Sequence, residues 1–483
     1  MTDDKRTELQ LEELAELLPP DSDDMRVVTP WWTAMNRVLW GMGLNVFTLN
    51  VLSLNIFLPA LGDVLTLLGF RSLRRENAGF RLCWWVSVFN CLLSLPRLVI
   101  NATIWQADIY AREPQTLMTI VLVTLEMLLV VGLHLGLRQA RQKAELPPKG
   151  APALVAWYGV LMVLALVKVQ SWLVVLAMVT AWIFILRGLI GAIRTLDVAG
   201  YVLSPAPVRI SDRALGGGLA LLVCAGMLWG YLFCYQYPMD WQPAPSEEET
   251  ETARHLLELG FPQTVLADLT AAEIESCGDA VRVVVQTDLT DMADRTTYES
   301  EANKRLLAFT HVAVKLPDAP NGDSRWQIFH HFHWRAKPLA FGTDVIQLWT
   351  AGRGLEESWK LERQPSGRLL YNRDDLRLTA DYYNLTQETY TSTSVWGLSM
   401  TYTDWFAAYS LPRGGEDYRG YLTYGIRNHN DDWMIDSWCN FVTPVLRVQY
   451  PVQTALDARK GGSISRSFFQ FYQAELQFYP TRE

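Results

Sequence analysis

Residues 116–137 read TLMTIVLVTLEMLLVVGLHLGL, an apolar run that contains one carboxylate, Glu126, and one imidazole, His134. A helix needs about 20 predominantly apolar residues to cross the hydrocarbon core of a bilayer, so this run predicts a membrane span. Comparable runs occupy much of the chain before residue 240. They predict six spans, at residues 44–70, 81–103, 116–137, 152–168, 171–193 and 215–236.

The boundaries of these runs leave two alternatives open. Pro59 and Gly62 interrupt the first run, which is compatible with a kinked helix or a re-entrant hairpin. The polar residues Lys168, Gln170 and Ser171 separate the fourth run from the fifth, without a glycine or proline to form a turn. A fusion of these two runs would reduce the count to five spans.

Basic residues in the loops predict the orientation. Lysine and arginine concentrate in short cytoplasmic loops. The connections after the first, third and fifth spans are rich in them: Arg71, Arg74, Arg75 and Arg81; Arg138, Arg141, Lys143 and Lys149; Arg194, Arg209 and Arg213. Six spans satisfy this alternation and place both termini outside the cytoplasm. We therefore predict a multi-pass protein of the cell membrane with an extracytoplasmic C-terminal domain.

Composition separates the two halves of the chain. The formal net charge of −9 falls almost wholly on the C-terminal half, and an acidic surface disfavours nucleic acid as a partner. The predicted parts are an acidic tail with a short amphipathic helix (1–43), a transmembrane helical bundle (44–236) and an acidic linker (237–251). A short helical element (252–279) and a β-rich domain (280–483) follow.

The C-terminal half predicts helices first and strands afterwards. Gly260 should end one short helix, and Thr270 with Glu273 forms a capping-box pattern at the start of another. Later runs rich in Val, Thr, Tyr, Phe and Trp predict an antiparallel sandwich or a jelly-roll-like domain. We expect a turn at residues 365–367, whereas 374–393 is compatible with strand or helix.

Chemical motifs are scarce. The sequence lacks the G-x-S-x-G, P-loop, dinucleotide-binding and H-E-x-x-H patterns, so we expect no cofactor. His330, His331 and His333 form a cluster in which His331 and His333 would share one face of a strand. These two could begin a metal site, with His429 or the 431–432 aspartates as further ligands.

The two cysteines of the C-terminal half leave alternatives open. Cys277 and Cys439 could form one disulfide in an oxidising compartment, or remain free. Neither belongs to a C-x-x-C pair. The sequence therefore offers no zinc or thioredoxin-type pattern at these positions.

Aromatic residues suggest a ligand surface. Most tryptophans of the C-terminal half are expected in the core. Trp405 and Trp433, which lie beside polar or acidic turn residues, are predicted to be exposed. A ligand-binding surface built on them would include Tyr402, Tyr418 and Asn430.

Ionisable residues inside predicted spans are functional candidates, because burying a charge in the bilayer is costly. They are Asp63, Arg97, Glu126 and His134. Arg97 and Glu126 would differ in depth by about four residues, roughly 6 Å, if their helices are antiparallel neighbours. We expect either an ion pair that fixes helix register or part of a proton or ion relay.

These features favour a non-enzymatic membrane protein whose external β-rich domain binds a ligand or a protein partner. It would act in the lipid bilayer as a receptor, sensor or membrane-complex subunit, in a complex or as a homo-oligomer. The alternative is a transporter, or an ion- or proton-translocating protein, that uses Glu126, Arg97 and Asp63. A third hypothesis, a membrane-anchored metal-dependent hydrolase, rests on the histidine cluster alone.

Overall fold

The computed structural model describes residues 29–46, 53–112, 114–167, 171–203, 206–245, 250–289, 307–351, 358–393, 399–429, 431–461 and 468–481. The predicted amphipathic helix of the N-terminal tail lies outside these residues. The chain divides into two compact units. We call them the helical unit, residues 1–100 and 108–227, and the β unit, residues 101–107 and 228–483.

Long helices dominate the first half of the described chain. They are α1 Pro30–Val46, α2 Leu54–Leu73, α3 Ala78–Ile100, α4 Gln106–Arg112, α5 Gln115–Lys143, α6 Pro152–Val167, α7 Trp172–Val198 and α8 Asp212–Phe233. Within the described residues, five helices are long and apolar enough to cross a bilayer: α2, α3, α5, α7 and α8. Helix α6 is apolar but shorter. The chain therefore has the helices of a multi-pass membrane protein.

The first predicted span, residues 44–70, is wrong in its boundaries. Helix α1 ends at Val46 and α2 begins at Leu54, so the predicted run joins the end of one helix to most of the next. Pro59 lies inside α2 and does not end it. Hydropathy alone misses this boundary because the residues on both sides of it are apolar.

Glycines allow close packing of the helices. Gly41 of α1 lies against Gly62 of α2, where a Cβ on Gly41 would be 2.6 Å from the Gly62 carbonyl oxygen. Gly132 and Gly136 form a G-x-x-x-G motif in α5 that lies against Gly79 of α3. A Cβ on Gly79 would be 2.5 Å from the Gly132 carbonyl oxygen. Small residues of this kind let the backbones of membrane helices approach closely.

The N-terminal end of α1 lies beside the end of α7 and the start of α8. Trp31 Nε1 donates to the Ile193 carbonyl oxygen at 3.2 Å. Arg37 and Arg71 both pair with Asp212, at 2.5 and 3.1 Å. Residue 30 is therefore at the same end of the helical unit as the basic end of α2 and the α7–α8 loop.

The β unit contains three short helices before its main strands, namely α9 Glu251–Glu258, α10 Gln263–Leu266 and α11 Ala271–Glu275. Gly260, with φ +91°, follows α9 and adopts the left-handed conformation that ends helices. Thr270 and Glu273 make both hydrogen bonds of a capping box at the start of α11. Both of these local predictions are confirmed.

The strands form two antiparallel sheets. They are β1 Gln242–Pro243, β2 Arg282–Leu289, β3 Leu307–Leu316, β4 Ser324–Trp334, β5 Asp344–Trp349, β6 Lys360–Arg373, β7 Leu376–Asp381, β8 Asn384–Thr393, β9 Ser399–Tyr409, β10 Glu416–Asn428, β11 Ile435–Pro444 and β12 Phe469–Phe478. The seven-stranded sheet has the order β1-β7-β6-β10-β4-β3-β2, and the five-stranded sheet has the order β12-β11-β5-β9-β8. The prediction of an antiparallel β domain is confirmed.

The sheets share an aromatic core. Phe332 of the seven-stranded sheet contacts Phe441 of the five-stranded sheet, with ring centroids 5.2 Å apart. Helices α9 to α11 pack on the outer face of the first sheet, and α12, Ala455–Gly461, packs on the outer face of the second. Each sheet therefore has at least one helix packed on its outer face and the shared aromatic core on its inner face.

One predicted turn is wrong. Residues 365–367 lie inside the long strand β6, which pairs with β10 through irregular register. Gly367 approaches the Tyr421 carbonyl oxygen so closely that a Cβ would not fit. The glycine serves a close strand contact rather than a chain reversal. The stretch that was open to two interpretations, 374–393, contains strands β7 and β8.

Candidate functional site

Two hydrogen bonds fix the relative depth of α3 and α5. Asn77 Nδ2 donates to the Gly136 carbonyl oxygen at 3.0 Å, and Cys83 Sγ donates to the Leu129 carbonyl oxygen at 3.2 Å. From the first bond to the second, the residue number rises in α3 and falls in α5, so the two helices are antiparallel. Glu126 is consequently level with about the middle of α3.

Helix α2 brings a second carboxyl to this level. The rings of Phe70 and Phe80 are in contact, so Asp63 also lies level with the middle of α3. Asp63 is 8% exposed and accepts a hydrogen bond from Asn45 Nδ2 at 3.0 Å. Glu126 is half-buried and close enough to Asp63 for their charges to interact.

Further polar side chains lie at the same depth. Asn90, near the middle of α3, is buried, and Tyr158 of α6 is within electrostatic range of Glu126. We call Asn45, Asp63, Asn90, Glu126 and Tyr158 the midplane layer. The structure thus places Asp63 and Glu126, two of the residues that the sequence singled out, at the same depth and within range for their charges to interact.

The predicted pairing of Arg97 with Glu126 does not fit this register. Arg97 lies near the end of α3, about ten residues or roughly 15 Å from the level of Glu126. Its guanidinium carbon is 5.9 Å from the centroid of the Tyr110 ring. The prediction failed because it measured depth from the ends of the apolar runs. The contact of Gly79 with the G-x-x-x-G motif sets the depth instead.

His134 also lies away from the midplane layer. It is two turns beyond Glu126 on α5 and packs against Gly150 in the following loop. A Cβ on Gly150 would be 2.6 Å from His134 Nδ1. Its place is consistent with packing between the end of α5 and the loop.

In the β unit, Asp268 is the centre of an ion-pair network. It is 4% exposed and accepts hydrogen bonds from His331 Nε2 at 2.7 Å, Arg419 Nε at 2.9 Å and Arg377 Nη2 at 2.9 Å. Burial alone would raise the pKa of Asp268, but His331 and Arg419 outweigh it and hold this pKa below its usual value. The network attaches the loop between α10 and α11 to strands β4, β7 and β10.

The histidine cluster does not assemble a metal site. His331 and His333 lie on the same face of β4, but each binds its own carboxylate. His331 binds Asp268, and His333 Nε2 donates to Asp417 Oδ1 at 2.7 Å. Among the described residues, no group of three or more His, Cys, Asp and Glu side chains could hold a metal ion. The metal-dependent hydrolase hypothesis therefore has no structural support.

His330 faces the opposite way and joins a buried chain of polar groups. Its Nδ1 is 2.6 Å from His311 Nδ1, and its Nε2 is 2.8 Å from Ser437 Oγ. The Ser437 hydroxyl donates to the Trp349 carbonyl oxygen at 3.0 Å and accepts from Tyr424 at 2.6 Å. Its single proton is already used, so His330 Nε2 donates to Ser437 and does not act as its base. Burial lowers the pKa of His330 well below its usual range, which keeps this network neutral.

The two cysteines of the β unit do not form the disulfide that the sequence left open. All six cysteines are free thiols. Cys277 packs with helices α9 to α11 on the outer face of the seven-stranded sheet, whereas Cys439 lies in the core between the sheets. The sheet separates them. Burial raises the pKa of the Cys277 thiol to about 11.

The predicted aromatic surface is not assembled. Tyr418 is buried in the core and its hydroxyl donates to the Pro412 carbonyl oxygen at 2.6 Å. Trp405 and Trp433 are half-buried against the same core. Tyr402 is also half-buried, with its ring 5.7 Å from that of Tyr390. Asn430 lies outside the described residues. Neighbouring turn residues did not reveal which face of the strand each ring occupies.

Several residues of these sites were missed from the sequence. Asn45 and Asn90 are amides within or beside apolar runs, a signal that was present but not used. The G-x-x-x-G motif of α5 was also readable. Asp268 had no local signal, because His331, Arg377 and Arg419 are 63, 109 and 151 residues away from it.

No family model matches the chain, and no curated protein or solved structure shows significant similarity to it.

Proposed function

We propose that this protein binds a proton or a small cation in the midplane layer and moves it across the membrane. The observation that supports this proposal is that Asp63 and Glu126 lie at the same depth, near the middle of long apolar helices, and within range for their charges to interact. Carboxylates at this depth are costly and commonly mark ion or proton pathways. The side-chain oxygens of Asn45 and Asn90 could complete the ligands of a cation.

The partners of Asp63 favour this role over a purely structural one. The groups that face it are neutral, namely the amide of Asn45, which donates to it, and the hydroxyl of Ser94. A buried carboxylate that serves stability is usually paired with a positive charge. In the midplane layer a bound cation or proton would take the place of that charge.

The orientation that we propose places the β unit outside the cytoplasm. Helix α1 begins at the same end of the helical unit as the basic end of α2 and the α7–α8 loop, and α8 leads away from that end. With the basic loops in the cytoplasm, the N-terminal tail is then cytoplasmic and the β unit is extracytoplasmic. This orientation also avoids the transfer of an acidic tail across the membrane, which the predicted six crossings would require.

Transport can be measured in liposomes that contain the full-length protein and an internal pH-sensitive dye. After a proton or sodium gradient is imposed, the wild type should change internal pH or take up sodium faster than empty liposomes. Asp63→Asn and Glu126→Gln should each lower this rate at least tenfold. Asp108→Asn, which removes an exposed carboxylate of α4, is the matched control and should keep it. Wild-type rates equal to those of empty liposomes would refute the proposal.

A second candidate function is binding of a ligand or protein partner by the β unit, as in a receptor, sensor or membrane-complex subunit. It is supported by an open cleft of about 700 Å³ beside the β6–β7 turn. Its charged lining residues are Arg373, Asp374, Asp375, Arg377, Glu416 and Arg419. Asp268 holds two of these arginines in place, so the cleft has a rigid charged floor.

Native mass spectrometry of the protein extracted from its own membrane tests this second candidate. We expect an additional bound mass or a homo-oligomer that Arg373→Glu loses. Arg335→Glu, which reverses an exposed charge outside the cleft lining, should retain it. Identical spectra for the wild type and Arg373→Glu would count against the cleft.

A further inference from the structure

Three neighbouring strands place oxygen-bearing side chains side by side at one end of the β sandwich. Asp344 begins β5 and is directly opposite Tyr409 of β9 in the strand register. Val345 is paired with Val442 of β11, so Thr443 of β11 is the next neighbour of Asp344. Alternation along the strands directs Asp344, Tyr409 and Thr443 toward the same face, the interior between the sheets.

All three side chains are removed from water. Asp344 is 4% exposed, Tyr409 is 0% exposed and Thr443 is 3% exposed. Tyr409 Oη is buried and has no hydrogen-bond partner among the described residues, and the buried Thr443 hydroxyl faces the Asp344 carboxyl. A buried hydroxyl without a partner is destabilising, so such groups usually have a ligand, water or ion to bind.

The two main influences on the Asp344 carboxyl are burial and the Thr443 hydroxyl, and neither is a positive charge. The charge of Asp344 acts on Tyr409 and on Tyr235, and the positive charge of Arg413 also acts on Tyr235. Burial raises the pKa of the Asp344 carboxyl to about 7, and the adjacent Thr443 hydroxyl offsets part of this rise. The carboxyl therefore exchanges its proton near neutral pH, and its ionised form lies in an environment that favours a positive partner.

We propose that Asp344, Tyr409 and Thr443 form an all-oxygen site for one small monovalent cation, in competition with a proton. A carboxylate and two hydroxyls are hard ligands, which suit alkali-metal cations rather than zinc or copper. A single carboxylate matches a single positive charge. This site belongs to the β unit and does not depend on the function proposed for the midplane layer.

Thermal unfolding of the full-length protein in detergent tests the site. At pH 8.5 and constant ionic strength, replacing N-methylglucamine chloride with lithium, sodium or potassium chloride should raise Tm saturably for at least one cation. At pH 5.5 the shift should disappear because the proton occupies Asp344. Thr443→Val should require at least tenfold more cation for the same shift, and Asp344→Asn should show none.

A matched double variant separates this site from the helical unit. Asp63→Asn with Glu126→Gln removes the carboxylates of the midplane layer and should retain the cation-dependent Tm shift. The proposal would be overturned if the wild type has the same Tm in all four salts at pH 8.5. It would equally be overturned if Asp344→Asn keeps the wild-type shift.

Discussion

The two units bury carboxylates in opposite ways. Asp268 of the β unit is surrounded by His331, Arg377 and Arg419, which donate to it within 3.0 Å. Asp63 of the helical unit accepts from the neutral amide of Asn45 and lies near a second carboxyl, Glu126. The first arrangement neutralises its charge internally, whereas in the second we propose that a proton or a cation from outside does so.

This difference predicts different effects of mutation on the stability of the protein and on its proposed transport. Removing a carboxylate that has several cationic partners leaves those partners buried and uncompensated, which is strongly destabilising. Removing a carboxylate that lacks them relieves a cost. We therefore expect mutations of Asp268 to unfold the β unit, and mutations of Asp63 to preserve folding while they abolish transport.

The largest expected effect is that of Asp268→Ala. It should lower the free energy of unfolding of the β unit by about 3–5 kcal/mol, because two arginines and His331 lose a buried partner. Proteolysis in increasing urea measures this loss. Asp63→Asn should leave the urea midpoint of the β unit unchanged. An equal shift of this midpoint in both variants would contradict the distinction between the two units.

The second effect is a pH dependence from Asp344. Its pKa of about 7 in the folded protein lies above the ordinary value of 3.8, so the folded state binds this proton more tightly than the unfolded chain. Stability should therefore fall as pH rises from about 4 to about 7, by about 4 kcal/mol in total. Unfolding in N-methylglucamine buffer at pH 5 and pH 8 measures it. Asp344→Asn should lose this slope, and an unchanged slope would exclude Asp344 as its source.

The third effect tests how the depth of Glu126 is fixed. Gly79→Val should destabilise the helical unit by about 1–3 kcal/mol through overpacking against Gly132. It should also lower transport, because α5 must shift relative to α3. Gly217→Val is the matched control, since nothing lies within 4 Å of a Cβ there. Equal activity and thermal stability of the two variants would show that the glycine contact does not set the register.

The smallest effect is expected at the exposed pair of His333 and Asp417. Their side chains are 42% and 40% exposed, so His333→Ala should cost less than about 1 kcal/mol. The same urea proteolysis measures it beside Asp268→Ala. If His333→Ala lowered the free energy of unfolding as much as Asp268→Ala, the number of partners, and not burial, would determine the loss of stability.

Local sequence patterns predicted the elements that depend on neighbours in the chain. The capping box at Thr270 and the helix end at Gly260 are set by contacts within a few residues, and both were correct. The break between α1 and α2 was missed, because hydropathy does not distinguish one long apolar segment from two. The glycine in β6 was mistaken for a turn because its contact, with Tyr421, is distant in sequence.

The candidate sites were harder to predict than the fold. Asp63 and Glu126 were identified because a charge in an apolar run is unusual. Their convergence was not predicted, because the relative depth of helices depends on side-chain packing. Asp268 and Asp344 gave no signal in the sequence, since burial and strand register determine their partners. Such residues become recognisable only when the long-range neighbours are known.

The interval between Glu126 and the G-x-x-x-G motif acts as a molecular ruler. Gly132 and Gly136 anchor α5 on α3, so the chain length from Glu126 to Gly132 decides where the carboxyl points. One inserted or deleted residue would turn Glu126 by about 100° and move it by about 1.5 Å. Substitutions between these positions should therefore be tolerated far better than changes in their number.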